Sequence, residues 1–184
     1  MRAYRGESEL GERTWDLGAT FSIRPRPRWQ LSLEPRVFVQ TDPRIFAGRN
    51  AGNAVFAMVD RDEYSLTMRA NYAVTPELTF ELYTQAFAAS GIFHDFGALT
   101  VPGSRSLTPV AGTNAFDYNE RSFRSNAVVR WEWRPGSTAY LVWQQDRFAL
   151  EDPNRSARPS SIGETLSAPG DHIIAIKFSY WIPI

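Results

Sequence analysis

Apolar and polar residues alternate along most of this chain, and pairs of alternating stretches meet at very short turns that contain proline. Successive side chains of a β-strand point to opposite faces, so each stretch predicts a strand with one apolar and one polar face. The short turns lie at residues 24–28, 75–77 and 134–137. Polar loops several times longer separate the pairs, at 41–53, 89–120 and 149–170. Short turns at one end and long loops at the other are typical of outer-membrane β-barrels.

The alternation therefore predicts an all-β, antiparallel transmembrane β-barrel of about seven to eight strands, with short periplasmic turns and long extracellular loops. The apolar rows extend over about 9 to 11 residues, the length that a tilted strand needs to cross a bilayer. Large aromatic residues lie beside the short turns, as at a membrane interface; they are Trp29, Tyr72, Phe80, Trp131, Trp133 and Tyr180. A soluble β-sandwich shows the same period with its apolar face turned toward a dry core, and it stays open as an alternative.

Three stretches depart from the plain pattern. Pro35 interrupts the stretch after the first turn, and because proline cannot donate a ladder hydrogen bond, a bulge or a broken ladder is expected there. The longest alternation runs from Ala54 to Val74 in one register, which predicts a strand that projects beyond the membrane. Residues from Arg2 to Leu10 alternate poorly and supply part of an eighth strand at most.

Composition changes this picture little. The 184 residues are 43% hydrophobic and carry zero formal net charge, values that a soluble domain also has. A mean hydropathy of -0.34, without an apolar run of about 18 residues, excludes transmembrane helices. Residues 1–184 are expected to form a single β-barrel domain or the C-terminal portion of a larger barrel. Because residues 1–17 lack the features of a secretory signal, an exported barrel implies a longer precursor, and an even strand number implies an upstream strand.

The polar positions of the predicted strands include eight charged residues that are candidates for facing the lumen. They are Glu34, Arg36, Arg69, Glu81, Arg124, Arg130, Glu132 and Lys177. In a small barrel such residues form a hydrogen-bonded plug that stabilises the fold, whereas in a wide barrel they line a water-filled pathway. Both roles stay open.

Other chemistry is sparse. Ser90, His94 and Asp95 are the residue types of a hydrolytic triad, but their spacing does not bring them together along a strand. Asp60, Asp62 and Glu63 offer oxygen atoms without the glycine-centred loop of a calcium site. No catalytic residue, cofactor or metal site is therefore predicted. The arginines of the 24–28 turn do not extend into a basic face, so nucleic-acid binding is not predicted either.

A resemblance becomes specific in three stretches: VFAMVDRDEYSLTMRANYAVTPELTFELYTQAFAASG, RSFRSNAVVRWEWRPGSTAYLVWQQ and GDHIIAIKFSYWI. Together they resemble the C-terminal region of a large family of bacterial surface proteins. In that family an outer-membrane β-barrel domain of unknown function follows an N-terminal domain similar to family-nine carbohydrate-binding modules. The resemblance covers most of the chain from Ala54 onwards.

The resemblance implies a location in the bacterial outer membrane. The implied partners are the lipid bilayer, the barrel assembly machinery and, through an upstream domain, carbohydrate. The expected role of these residues is to anchor a carbohydrate-binding or carbohydrate-active surface protein and, in a wide barrel, to form a pore. An outer-membrane hydrolase with a site in its loops and a soluble β-sandwich binding module stay open as alternatives.

Overall fold

The computed structural model describes residues 1–8, 11–41, 44–112 and 116–182. It is all-β with one short helix. The strands are β1 Arg2–Glu7, β2 Arg13–Gly18, β3 Phe21–Ile23, β4 Trp29–Thr41, β5 Ile45–Asn50, β6 Asn53–Ala73, β7 Leu78–Leu99, β8 Thr108–Pro109, β9 Tyr118–Arg134, β10 Ser137–Leu150 and β11 Gly170–Ser179. Helix α1 (Ser161–Glu164) and a 3₁₀ turn (Thr165–Ser167) lie between β10 and β11. Leu10, the end of the weak N-terminal stretch, lies outside the described residues.

The strands form one antiparallel sheet whose continuous path is β1-β2-β4-β6-β7-β9-β10-β11. The predicted antiparallel all-β fold is confirmed. The sheet holds eleven strands rather than seven or eight, because β3, β5 and β8 pair beside this path with β4, β6 and β7. Within the described residues β1 and β11 pair with no strand on their outer sides, so the sheet is open rather than closed.

The three short turns join neighbouring strands of the sheet, as predicted. They connect β3 to β4, β6 to β7 and β9 to β10. In the second turn the Thr75 hydroxyl accepts hydrogen bonds from the backbone N–H groups of Glu77 and Leu78. In the third turn Gly136 has a φ of 79°, a conformation that residues with a Cβ rarely adopt. Turn chemistry thus fixes this end of the sheet locally.

Pro35 breaks the ladder on one side only. It stays in register with Leu66 of β6. On its other side the Pro35 carbonyl accepts a hydrogen bond from Ala19 N–H at 3.2 Å. Ala19 lies in the gap between β2 and β3, where pairing with β4 is interrupted. The N–H and C=O groups of one strand residue point to the same side, so the missing donor of Pro35 accounts for this gap.

All three of the predicted long loops contain regular structure. The sequence prediction placed a loop from Ala89, but β7 continues to Leu99. This second half of β7 pairs with the N-terminal half of β6, from Ala54 to Glu63. This part of β7 contains Ser90-Gly91, His94, Asp95 and Gly97, residue types that predict a loop, so alternation alone misses it. The 21-residue strand β6 agrees with the long alternation from Ala54. With β5 and β8 these halves form a four-stranded extension of the sheet.

Two loop segments pack on opposite faces of this extension. We call residues 100–112 and 116–117, which include the edge strand β8, the cap, and we call residues 151–168 the clasp. The cap contributes Val110 to an apolar cluster that is built on Val55, Ala57, Phe96 and Ala98. The clasp lies against the other face, where Ala157 N–H donates a 2.8 Å hydrogen bond to the buried Ser90 hydroxyl. The buried core therefore lies in the extension and not in the main sheet.

The cross-strand register divides the main sheet into two continuous faces. One row runs Trp29, Tyr72, Phe80, Val129, Leu141 and Ile176, each the partner of the next. We call the face with this row the apolar face and the opposite one the polar face. The apolar face is uncovered; its exposed side chains include Trp15, Leu17, Phe21, Ile23, Trp131, Leu141, Trp143, Ile174, Ile176 and Phe178. None of the helices among the described residues has the length and apolar character needed to cross a membrane.

Candidate functional site

The eight charged candidates all lie on the polar face. Glu34 and Arg36 come from β4, Arg69 from β6 and Glu81 from β7. The other four come from the last strands of the sheet; they are Arg124, Arg130, Glu132 and Lys177. The register of each strand pair places them there, because partners across a ladder share a face. That this face lines a lumen stays a prediction.

Ion pairs tie neighbouring strands together across this face. Arg69 on β6 donates from Nη1 to Glu34 Oε1 on β4 at 2.8 Å. The guanidinium of Arg69 also lies 5.2 Å from the ring centre of Tyr83 on β7, within the range of a cation–π contact. One arginine thus links three consecutive strands of the path.

The last strands carry two further ion pairs, one within β9 and one between β9 and β10. Arg130 donates from Nη2 to Glu132 Oε2 at 2.8 Å, and the second oxygen of Glu132 accepts from Gly136 N–H at 3.2 Å. This pair therefore holds the turn between β9 and β10. Arg124 lies 3.7 Å from Asp146 of β10, and both side chains are largely exposed. Within the described part of the chain, Glu81 and Lys177 form no ion pair.

The tightest ionic group of the polar face centres on a residue outside the eight candidates. Asp16 of β2 accepts hydrogen bonds from Arg36 Nε at 2.8 Å and Nη2 at 3.1 Å. Arg2 of β1 lies 3.3 Å from the same carboxylate, whose side chain is only 6% exposed. The alternation places Asp16 on the polar face, but its partner depends on the register between β2 and β4, which the sequence does not fix.

Replacement of Asp16 by asparagine is expected to destabilise the sheet by about 1.5–3 kcal/mol, because a buried charge-assisted acceptor of two arginines is lost. The measurement is the urea midpoint of the folded protein in detergent micelles. Asp146→Asn is the matched control, since the exposed Arg124–Asp146 pair contributes about 0–1 kcal/mol. Equal midpoints for the two variants would show that the Asp16 group does not hold the β1, β2 and β4 edge.

The structure does not assemble the residues of the hydrolytic alternative. Ser90 and His94 are four positions apart on β7, which corresponds to about 13 Å along a strand. The Ser90 hydroxyl is buried under the clasp and accepts the hydrogen bond from Ala157 N–H. His94 instead contacts Asp60 and Asp95. Nothing in this arrangement activates Ser90 as a nucleophile.

His94 lies between two carboxylates in the extension. Its Nδ1 is 3.1 Å from Asp95 Oδ2, and its Nε2 is 3.5 Å from Asp60 Oδ1. Burial alone lowers the pKa of His94, but the hydrogen bond to Asp95 and the charge of Asp60 outweigh burial and raise that pKa above its ordinary value. The protonated imidazolium is therefore the form that this site favours.

The geometry does not build a metal site from the acidic residues considered above. Asp60 and Asp62 lie on the face opposite to Glu63, since successive residues of β6 alternate. Asp60 and Asp95 lie at different ring nitrogens of His94, so the three groups do not converge on one point. In the described residues no group of three or more His, Cys, Asp or Glu side chains is arranged to hold a metal ion.

The arginine turn contacts the protein through two of its three side chains. Arg28 donates from Nη1 to the Val74 carbonyl at 3.0 Å and thereby joins the first two short turns. Arg24 lies 3.5 Å from the Gln30 side-chain oxygen. Next to this turn Trp29 stacks on Tyr72 with ring centres 4.1 Å apart. The turn thus forms a basic and aromatic rim rather than an extended basic surface.

Comparison with known proteins gives one match. Residues 2–184 match a family described as Domain of unknown function (DUF5916). No curated protein and no solved structure matches the chain. The family match by itself assigns neither a barrel nor a companion sugar-binding domain.

Proposed function

The chain belongs to the DUF5916 family, and for this family member we propose the role of a membrane-embedded β-barrel wall in the bacterial outer membrane. In this role the apolar face contacts lipid and the polar face lines the interior. The barrel anchors a surface protein that binds or processes carbohydrate through another domain. The sugar-binding part rests on the sequence resemblance alone, because no described residue forms a recognisable sugar site.

The observation that carries this proposal is the uncovered apolar face. It extends over the main sheet, and in the last strand Ile174, Ile176 and Phe178 are each more than 60% exposed. Soluble proteins rarely expose continuous apolar patches larger than a few hundred Å². The cap and the clasp pack on the extension and on the adjoining long-loop ends of β9 and β10, so no segment of the described chain covers this face of the main sheet. A bilayer covers it without any further protein.

The stagger of the strands supports a barrel rather than a flat sheet. The row of cross-strand partners that begins at Trp29 does not stay at the same distance from the short turns. Trp29 is the first residue of β4, whereas Phe80 of the same row is the third residue of β7. The row then meets Leu141 at the fifth residue of β10. The short-turn ends therefore shift in one direction from β4 to β9, and in β11 the row meets Ile176, only the fourth residue from the short-turn end. Such a shift tilts the strands relative to a common axis, which closure into a barrel requires.

Aromatic and basic side chains gather at the short-turn end of the apolar face. The Trp29–Tyr72 stack lies there, and Arg134 places its guanidinium 4.1 Å from the ring centre of Tyr180. Arg134 also donates a hydrogen bond to the Trp181 carbonyl at 3.2 Å. Amphipathic rings and cations at one level suit the boundary between acyl chains and headgroups.

The sheet has two unpaired edges among the described residues, at β1 and at β11. A strand inside a bilayer cannot leave a row of backbone groups unpaired. β11 is exposed along all ten residues, and β1 is exposed at most of its positions. We therefore expect both edges to pair with further strands in the intact protein. The ion pairs on the polar face neutralise most of its charges, which favours a structural anchor over a charge-selective pore.

The test is expression of the chain with its natural upstream region, followed by outer-membrane fractionation and gel electrophoresis with and without heating. We expect the protein in the outer-membrane fraction and a change of mobility on heating, which marks a folded barrel that resists detergent. A monodisperse protein in buffer without detergent, with no change on heating, would overturn the proposal and favour the soluble sandwich. Conductance measurements on the folded protein would then separate a pore from a closed anchor.

A further inference from the structure

The extension contains a β-bulge in β7. The bulge orients Phe93 and Phe96, the two aromatic residues of β7 that contact the cap. Between Phe56 and Met58 of β6 the register with β7 shifts by one residue, so Asp95 and Phe96 together oppose Ala57. Asp95 has a φ of 49°, a left-handed conformation that non-glycine residues adopt uncommonly. In a regular strand Phe93 and Phe96, three positions apart, would point to opposite faces. The bulge instead lets both pack in the same apolar cluster.

This cluster lies on the polar-face side of the sheet. Val59 is the partner of Phe93 and belongs to the same alternation as Arg61 and Glu63, whose side chains lie on the polar face. Phe116 of the cap lies 5.8 Å from Phe93 and 6.4 Å from Phe96, measured between ring centres. The cap therefore covers the long-loop end of the polar face, and its position depends on the bulge.

His94 connects the bulge to the neighbouring strand. An imidazolium donates from both ring nitrogens, so it can bind Asp95 on the bulge and attract Asp60 on β6 at the same time. A neutral imidazole has one donor only. If that donor serves Asp95, the Nε2 atom, which is shielded from solvent, has no hydrogen-bond partner. Loss of the proton therefore removes the attraction to Asp60 and leaves a buried acceptor unsatisfied.

We propose that protonated His94 locks the bulge that seats the cap on the polar face, and that deprotonation releases the cap. Other charged groups near this site do not replace His94. Arg44 lines the same cavity as Asp95 and donates to the Arg105 carbonyl. Asp117 accepts from Phe93 N–H at 2.7 Å, and Glu164 of helix α1 is paired with Arg121. The device lies in the extension, outside the main sheet whose apolar face is proposed to contact lipid, and it operates with or without a bilayer.

The direction of the pH dependence follows from the raised pKa of His94. A group whose pKa is higher in the folded state stabilises that state below its unfolded pKa. The stabilisation is therefore complete below the ordinary value of 6.5 and is lost as the pH rises through the raised value. The cap is closed in mildly acidic solution and opens toward alkaline pH.

Hydrogen exchange of the full chain in detergent micelles tests the proposal from about pH 5 to about pH 8. After correction for the intrinsic exchange rate, protection of residues 93–112 is expected to fall by up to about tenfold per pH unit, the limit for one proton. His94→Gln is expected to show low protection at every pH, equal to that of the unmodified protein at high pH. His172→Gln is the matched control and should keep the full pH step, because His172 stacks on Trp143 far along the chain from the cap.

Asp95→Asn separates the charge of this site from its backbone shape, because asparagine tolerates a left-handed φ. We expect this variant to keep the bulge and to show a smaller pH step. A flat profile in the unmodified protein, or an unchanged step in His94→Gln, would overturn the switch. Heat-modifiable mobility of every variant is measured in parallel, so that failure of the barrel proposal is seen separately from failure of the switch.

Discussion

Replacement of Leu141 by arginine is expected to abolish stable insertion of the folded protein into the outer membrane. Leu141 lies on the apolar face between Val129 and Ile176 and is 45% exposed. An arginine on the lipid face of a barrel costs about 2–4 kcal/mol at the middle of the bilayer. This is a large part of the stability of a small domain, which is about 5–15 kcal/mol.

Two substitutions on the same strand serve as controls for Leu141→Arg. Ala139→Arg lies two residues closer to the short turn on the same face, where the cost falls to about 0–1 kcal/mol. Val142→Arg places the same charge on the polar face. The measurement is the folded fraction in outer membranes and the urea midpoint in lipid vesicles. Equal losses at Leu141 and Ala139 would indicate a dry protein core, and no loss at Leu141 would indicate a water-exposed face.

Replacement of Arg121 by glutamine is expected to release the clasp from the extension. The Arg121 side chain is 12% exposed and binds Glu151 at 3.3 Å together with Glu164. The variant loses both charge-assisted contacts and leaves two carboxylates without their shared cation. We expect a loss of about 1.5 kcal/mol for clasp docking, which increases the open population about tenfold.

Limited proteolysis measures this release, because trypsin cleaves after Arg155 in the clasp when the segment is detached. The rate of cleavage should rise about tenfold in Arg121→Gln, in proportion to the open population. Arg124→Gln on the same strand is the control, since its pair with Asp146 is exposed and its loss should leave the clasp protected. If Arg121→Gln resists trypsin as well as the unmodified protein does, the backbone contacts made by Asn119 and Ser90 hold the clasp without the ion pairs.

The candidate site was predictable only as a set of residues that share a face. Alternation placed Glu34, Arg69 and Arg130 at polar positions, and the register keeps them on one face. Their partners were not predictable. The pairing of Asp16 with Arg36 spans 20 positions in sequence and depends on how β2 aligns with β4. A shift of one residue would have turned either side chain to the other face.

The sequence by itself determined most strands of the main sheet, the short turns and the two chemical faces, because each depends on residues that are adjacent along the chain. Period-two alternation sets the faces, and Pro76, Pro135 and Gly136 set the turns through their restricted or permissive φ angles. Pro35 also determined the gap between β2 and β3, since a missing N–H group acts at its own position. Local chemistry is sufficient for all of these features.

Only the tertiary structure decided the extension, the cap, the clasp and the placement of His94 between Asp60 and Asp95. The C-terminal half of β7 (residues 89–99) is covered by a loop segment on each face, and no local pattern records which distant segment does so. The bulge at Asp95 is likewise a property of the pairing between β6 and β7, which the sequence of neither strand specifies alone. Contacts between residues far apart in the chain depend on loop closure and packing, and these are settled only when the whole sheet has formed.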